Sequence, residues 1–139
     1  MISIISGKHG KGKTKYLLDQ ANLAVTEVQG DVVYLDKGTK HMYELNRKVR
    51  LIDVEEYTIK STNAFVGFLC GIISQDHDLE QVYFDNFKRI ACIDDSDLET
   101  ALDKFAALGE ARKIKFCISI AAEEAAIPAK YKENIVVSL

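Results

Sequence analysis

The apolar residues of this chain fall into short solid runs separated by stretches of helical periodicity. Ile2-Ser3-Ile4-Ile5-Ser6 is the first run, too short for a helix and apolar throughout, as strands inside a parallel sheet are. Leu17, Leu18, Ala21, Ala24, Val25 and Val28 then recur at helical spacing and predict an amphipathic helix over 13–28, stopped by Gly30. Asp31–Asp36 predicts a second strand, Lys37-Gly38-Thr39 a turn, and the polar residues 40–48 leave room for a short helix. Val49–Val54 predicts a third strand. Ser61, Thr62 and Asn63 are N-cap residue types, so a helix is expected from there to about residue 75. That helix is apolar nearly all round, and Gly67 and Gly71 are spaced to let its backbone lie close to the sheet or to another helix.

Gln81–Asp85 predicts a fourth strand ending in Asn86-Phe87. Ser96 and Glu99 have capping-box spacing at the start of a further helix. Its buried stripe would be Leu98, Ala101, Leu102, Phe105 and Leu108, with Gly109 ending or interrupting it. Ile114–Ile120 predicts a fifth strand, residues 122–126 a short helical piece before Pro128, and Ile135–Leu139 a terminal strand. Strands alternating with helices require crossover connections. The expected fold class is therefore α/β: a three-layer α/β/α domain over residues 1–139, with a mostly parallel central sheet.

Composition excludes several classes. A net charge of −3 argues against a nucleic-acid binder that works by bulk basicity. The three cysteines, Cys70, Cys92 and Cys117, have no C-x-x-C spacing and read as reduced, mostly buried thiols. The N-terminal apolar run is too short for a secretory h-region, and Ala64–Ile73 is far short of a membrane span. A cytoplasmic address is the expectation.

Between the first strand and the first helix stands Gly7-Lys8-His9-Gly10-Lys11-Gly12-Lys13-Thr14, which fits G-x-x-x-x-G-K-[ST]. Glycines let successive N–H groups turn inward as a concave nest for anionic oxygens, and the following helix points its positive end at the same place. Lys13 would reach the β- and γ-phosphates, and the Thr14 hydroxyl would ligate Mg²⁺. Lys8, Lys11, Lys13 and His9 form a local cationic cluster suited to a nucleotide triphosphate.

With this loop in place, most of the chain resembles the P-loop NTPase superfamily. The resemblance implies that Asp85, closing Val82-Tyr83-Phe84, is the Mg²⁺-side carboxylate. Asp36 is its competitor, or the acid that positions an attacking water. The strand order along the chain looks like a minimal RecA-like core. That branch carries a glutamate where this chain has Lys37-Gly38 and Asn86; Glu55 and Glu56 are substitutes only by proximity. Ser119 would match the residue that senses the γ-phosphate. The deviant loop of the MinD/ParA-like group is the other branch, matched at Lys8 and Gly10 but not at His9, and implies a Lys8 that crosses a homodimer.

ATP with Mg²⁺ is the expected ligand pair, GTP being disfavoured by the lack of an N-K-x-D signature. A Mg²⁺-dependent ATPase is the leading function. A non-catalytic nucleotide-dependent switch with a protein partner is the alternative. A small-molecule kinase comes third, because the chain has only Arg47, Arg50, Arg89 and Arg112 to build a lid. Arg89 and Arg112 are the arginines to consider as charge-stabilising fingers.

Overall fold

The computed structural model describes residues 1–139. Its strands are β1 (Ile2–Gly7), β2 (Asp31–Asp36), β3 (Val49–Asp53), β4 (Leu79–Phe84), β5 (Lys115–Ala121) and β6 (Ile135–Ser138). Its helices are α1 (Lys13–Glu27), α2 (Thr62–Gln75), α3 (Phe87–Ile90) and α4 (Leu98–Arg112). The strands form one six-stranded sheet in the order β3-β2-β4-β5-β1-β6, and every pairing is parallel.

The solid apolar runs are explained by burial on both faces. All six residues of β1 are buried, with Ile5 turned to one face and Ile2 and Ile4 to the other. On the first face α1, joined by Leu45 from the segment before β3, lays Leu17, Leu18, Ala21 and Ala24 against Ile5, Val32, Tyr34, Tyr83 and Cys117. On the second face α2 and α4 bury Phe65, Leu69, Ala101, Leu102 and Phe105 against Val33, Leu35, Val82, Phe84 and Phe116. Phe84, at the end of β4, is the hub of that face. Its ring meets Phe87, Phe105 and Phe116 edge-on at centroid distances of 5.9, 5.9 and 5.2 Å. Such pairs add about 0.5–1.5 kcal/mol each beyond area burial. They clamp the point where β4 leaves the sheet.

Several sequence expectations need correction. Gly67 and Gly71 approach nothing; a Cβ at either would have no neighbour within 4 Å. They lie on the exposed side of α2, which buries only Phe65 and Leu69 fully. The N-cap of that helix is Ser61, whose Oγ accepts from the Ala64 N–H at 3.1 Å. Ser96 does not cap α4, because Asp95–Asp97 form a 3₁₀ turn that feeds the helix at Leu98 without a side-chain cap. Gly109 does not end α4, which runs on to Arg112 and is closed by Lys113 in the left-handed conformation. Cys117 is buried, but Cys70 and Cys92 are exposed; all are free thiols. No helix is long and apolar enough to cross a membrane.

Connections from adjacent strands leave toward opposite faces. β1 turns to the α1 side, whereas the segments after β4 and β5 bury Phe87, Ile90, Ile127 and Tyr131 on the other. A crevice opens at the carboxyl ends of the strands where such a switch occurs.

Candidate functional site

A cleft of about 560 Å³ occupies that crevice. Its first wall is the glycine loop. Gly10 and Gly12 sit at φ 84° and 93°, a region L side chains enter only with strain. The amides of residues 8–15 donate to no acceptor in the protein, the first helical bond being Tyr16 N–H to the Gly12 carbonyl at 3.2 Å. Gly12 serves as N-cap of α1 and has no side chain to occupy those donors. An unpaired run of amides at the positive end of a helix is an anion receptor.

The second wall is carried by β4 and β2. β4 stops at Phe84, and the Asp85 N–H donates to the Leu35 carbonyl of β2 at 3.0 Å. Asn86, at φ 59°, then turns the chain out of the sheet, its N–H donating to Ser119 Oγ at 2.7 Å. The buried Asp85 carboxylate is gripped from two sides. Thr14 Oγ1 donates to Oδ1 at 3.1 Å, and the Tyr34 hydroxyl donates to Oδ2 at 2.9 Å. Burial, followed by the charge of Asp85, holds the Tyr34 hydroxyl protonated far above the ordinary tyrosine range. It is therefore a fixed donor at any working pH.

Parallel register pairs Leu35 with Phe84, so Asp36 falls beside Asp85 at the strand ends. Asp36 Oδ1 accepts from the Lys37 N–H at 2.7 Å. Burial, then the neighbouring Asp85 charge, raises its pKa above the ordinary carboxylate value of 3.8. Lys13 is pulled the other way. Burial lowers its pKa and the charge of Asp85 partly offsets that. Its Nζ curls back and donates to the Lys8 carbonyl at 2.8 Å.

Of the motif residues, His9, Gly10, Gly12, Lys13 and Thr14 line the cleft, joined by Asp36 and Asp85 from the other wall. Gly7 stays in β1, its N–H bound to the Ala122 carbonyl at 2.9 Å. Lys11 is exposed outside the cleft, and Lys8 reaches Glu123 of its own chain at 3.2 Å, a solvated pair of small energetic worth. Ser119 is fully buried and also leans on the Phe84 carbonyl at 3.4 Å, so its hydroxyl braces β4 against β5. Arg89 lines the cleft, while Arg112 lies with His77 and Asp76 at the opposite edge of the sheet. Glu55 and Glu56 are exposed and outside the cleft.

Sequence reading missed Tyr34, Lys37, Lys40, His41 and Asn86, all part of the site. The signal for Tyr34 was available: strand alternation puts it on the face it shares with Asp36, two residues on. Comparison of the chain with protein-family models and with curated proteins returns no match in either. The chemistry of the cleft stands on its own residues: a bank of unpaired amides with a lysine, facing hard oxygen donors from a hydroxyl and two carboxylates.

Proposed function

We propose that this chain binds ATP with Mg²⁺ and hydrolyses its terminal phosphoanhydride. The observation that carries the reading is the 3.1 Å contact of Thr14 with Asp85, set beside the unpaired amides of residues 8–15. An anion receptor next to a set of hard oxygen donors matches a magnesium triphosphate, whose two halves need one each. The fit to Mg²⁺ rests on donor type, since a hydroxyl and carboxylates are the ligands it prefers. Thr14 and Asp85 would hold it, and when bound it supplies charge neutralisation to the phosphate oxygens.

The loop amides hold the phosphates, and Lys13 turns from the Lys8 carbonyl to the β- and γ-oxygens. Asp36 orients a water against the γ-phosphorus and accepts its proton. The water oxygen forms a bond to phosphorus, the bond to the bridging oxygen breaks, and ADP leaves with that electron pair. A raised proton affinity at Asp36 suits this task.

A nucleotide switch without turnover is the second reading. It is favoured by one observation: Asp36 and Asp85 are the only carboxylates lining the cleft, and Asp85 is committed to the cation side. Calorimetric titration with ATP and Mg²⁺, followed by a phosphate-release assay, separates the two. Binding with release supports the ATPase; binding without release supports the switch. Lys13→Ala should abolish ATP binding, and unchanged affinity in that variant would overturn both.

A further inference from the structure

The carboxyl edge of the sheet carries a second cavity of about 450 Å³. It opens between the segment after β3 and the α3 turn, and it shares Lys37 and Arg89 with the first cleft. Val54 and Ile90 form a buried apolar floor, with Ile59 packed beside them. Lys60 and Tyr57 complete the rim, and Glu55 is the one carboxylate among the lining residues.

Fixed backbone builds the walls. Asp53 Oδ1 accepts from the Gly38 N–H at 2.7 Å and from the Glu55 N–H at 2.9 Å, tying the loops after β2 and β3 together. Thr62 Oγ1 donates to the Cys92 carbonyl at 3.0 Å and fixes the far side. Lys37, Lys60 and Arg89 make no ion pair within the chain, whose pairs all lie elsewhere. At the opposite edge of the sheet the carboxylates of Asp31, Asp76 and Asp78 lie within 4.8 Å of one another. Three cationic side chains line this cavity against one carboxylate, although the protein is net acidic. Cations lining a cavity with an apolar floor can recognise a phosphate on an apolar body, Arg89 by its planar fork and the lysines as point charges.

We propose that this cavity binds a second ligand, a small molecule joining a phosphate group to an apolar or aromatic body. The phosphate would sit among Lys37, Lys60 and Arg89, and the body against Tyr57 and Ile59. Its position next to a nucleotide's terminal phosphate rests on the proposed function; its anion site does not.

Phenyl phosphate and inorganic phosphate are suitable probes, followed by amide chemical shifts in the Lys13→Ala variant, which lacks the key cation of the first cleft. Phenyl phosphate should shift Lys37, residues 57–60 and Arg89, and should bind more tightly than inorganic phosphate because only it covers the floor. Lys60→Ala, at an exposed and unpaired position, should weaken it roughly tenfold, the worth of one charge-assisted hydrogen bond. Lys60→Arg should restore most of that. Shifts confined to residues 8–15, or equal affinity in Lys60→Ala, would overturn the proposal. If wild-type protein fails to bind ATP while these shifts persist, the nucleotide reading falls and the second site stands.

Discussion

Asp85 is the most constrained residue in the site, and the constraint comes from three partners on two different elements. Its amide belongs to β2, and its carboxylate belongs to Thr14 of α1 and Tyr34 of β2. Tyr34 donates from full burial, so removing its hydroxyl leaves one carboxylate oxygen without its donor. Tyr34→Phe should cost about 1–2 kcal/mol in denaturant unfolding. It should also weaken ATP binding in the presence of Mg²⁺ several-fold while leaving Mg²⁺-free binding unchanged, a split that calorimetry with and without the metal reads directly. Equal loss under both conditions would mean that Tyr34 supports the fold and does not aim Asp85. Asp36 makes the opposite statement about stability. Below the ordinary carboxylate value of 3.8 it is protonated in both folded and unfolded chains. As pH rises from there to its raised folded value, the unfolded chain gives up the proton first, and the folded state loses stability. Asp36→Asn should therefore raise the melting temperature at pH 7 and flatten the fall above the ordinary carboxylate range, at the expense of turnover. A lower melting temperature in that variant would show that the carboxylate is held by partners beyond the Lys37 amide.

At the scale of elements, the glycine loop turns a left-handed backbone that only glycine adopts freely into binding geometry. Gly12, at φ 93°, is both the last residue before α1 and one of the turns that free its amides. Gly12→Ala meets no steric neighbour, so its cost is the left-handed backbone alone, about 1–2 kcal/mol. Chemical denaturation should show that loss together with a larger drop in ATP affinity, because relaxing φ turns the amides out of the nest. Strands and long helices were legible because burial on two faces writes solid apolar runs, and burial on one face writes a 3.6-residue period. What escaped was local or lateral. α3 has four residues, too few for any period, and its start depends on Asn86 taking a left-handed turn braced by Ser119. The end of α4 was misread because Gly109 is helical and buried, packing close to Ile114 and Phe116, while the left-handed position falls to Lys113. The loop and Asp85 were legible from residue type and chain order. Tyr34 was legible only by half: alternation puts it on the face of Asp36, but only the sheet register reveals a tyrosine reaching an aspartate 51 residues away.

The sheet order decides why one molecule of this size can gather such a site. Placing β5 between β1 and β4 sets the glycine loop and Asp85 one strand apart, and the start of α1 closes that gap through Thr14. The site therefore joins the two packed faces: α1 with its small core on one side, Phe84 and the aromatic cluster on the other. A ligand held by the loop and by Asp85 together can exist only on the folded chain, so its binding free energy adds to global stability. At a concentration one hundred times its dissociation constant, MgATP should stabilise the protein by about 2.7 kcal/mol. For a domain of this length that corresponds to a rise of roughly 5–10 °C in melting temperature. The whole cooperative transition should move, by near-ultraviolet and far-ultraviolet dichroism alike, because the ligand ties both faces. Lys13→Ala should melt near the wild-type apo temperature yet show no rise with MgATP. Two separated transitions in the presence of nucleotide would show instead that the α1 face and the aromatic face unfold independently, with the ligand held by only one of them.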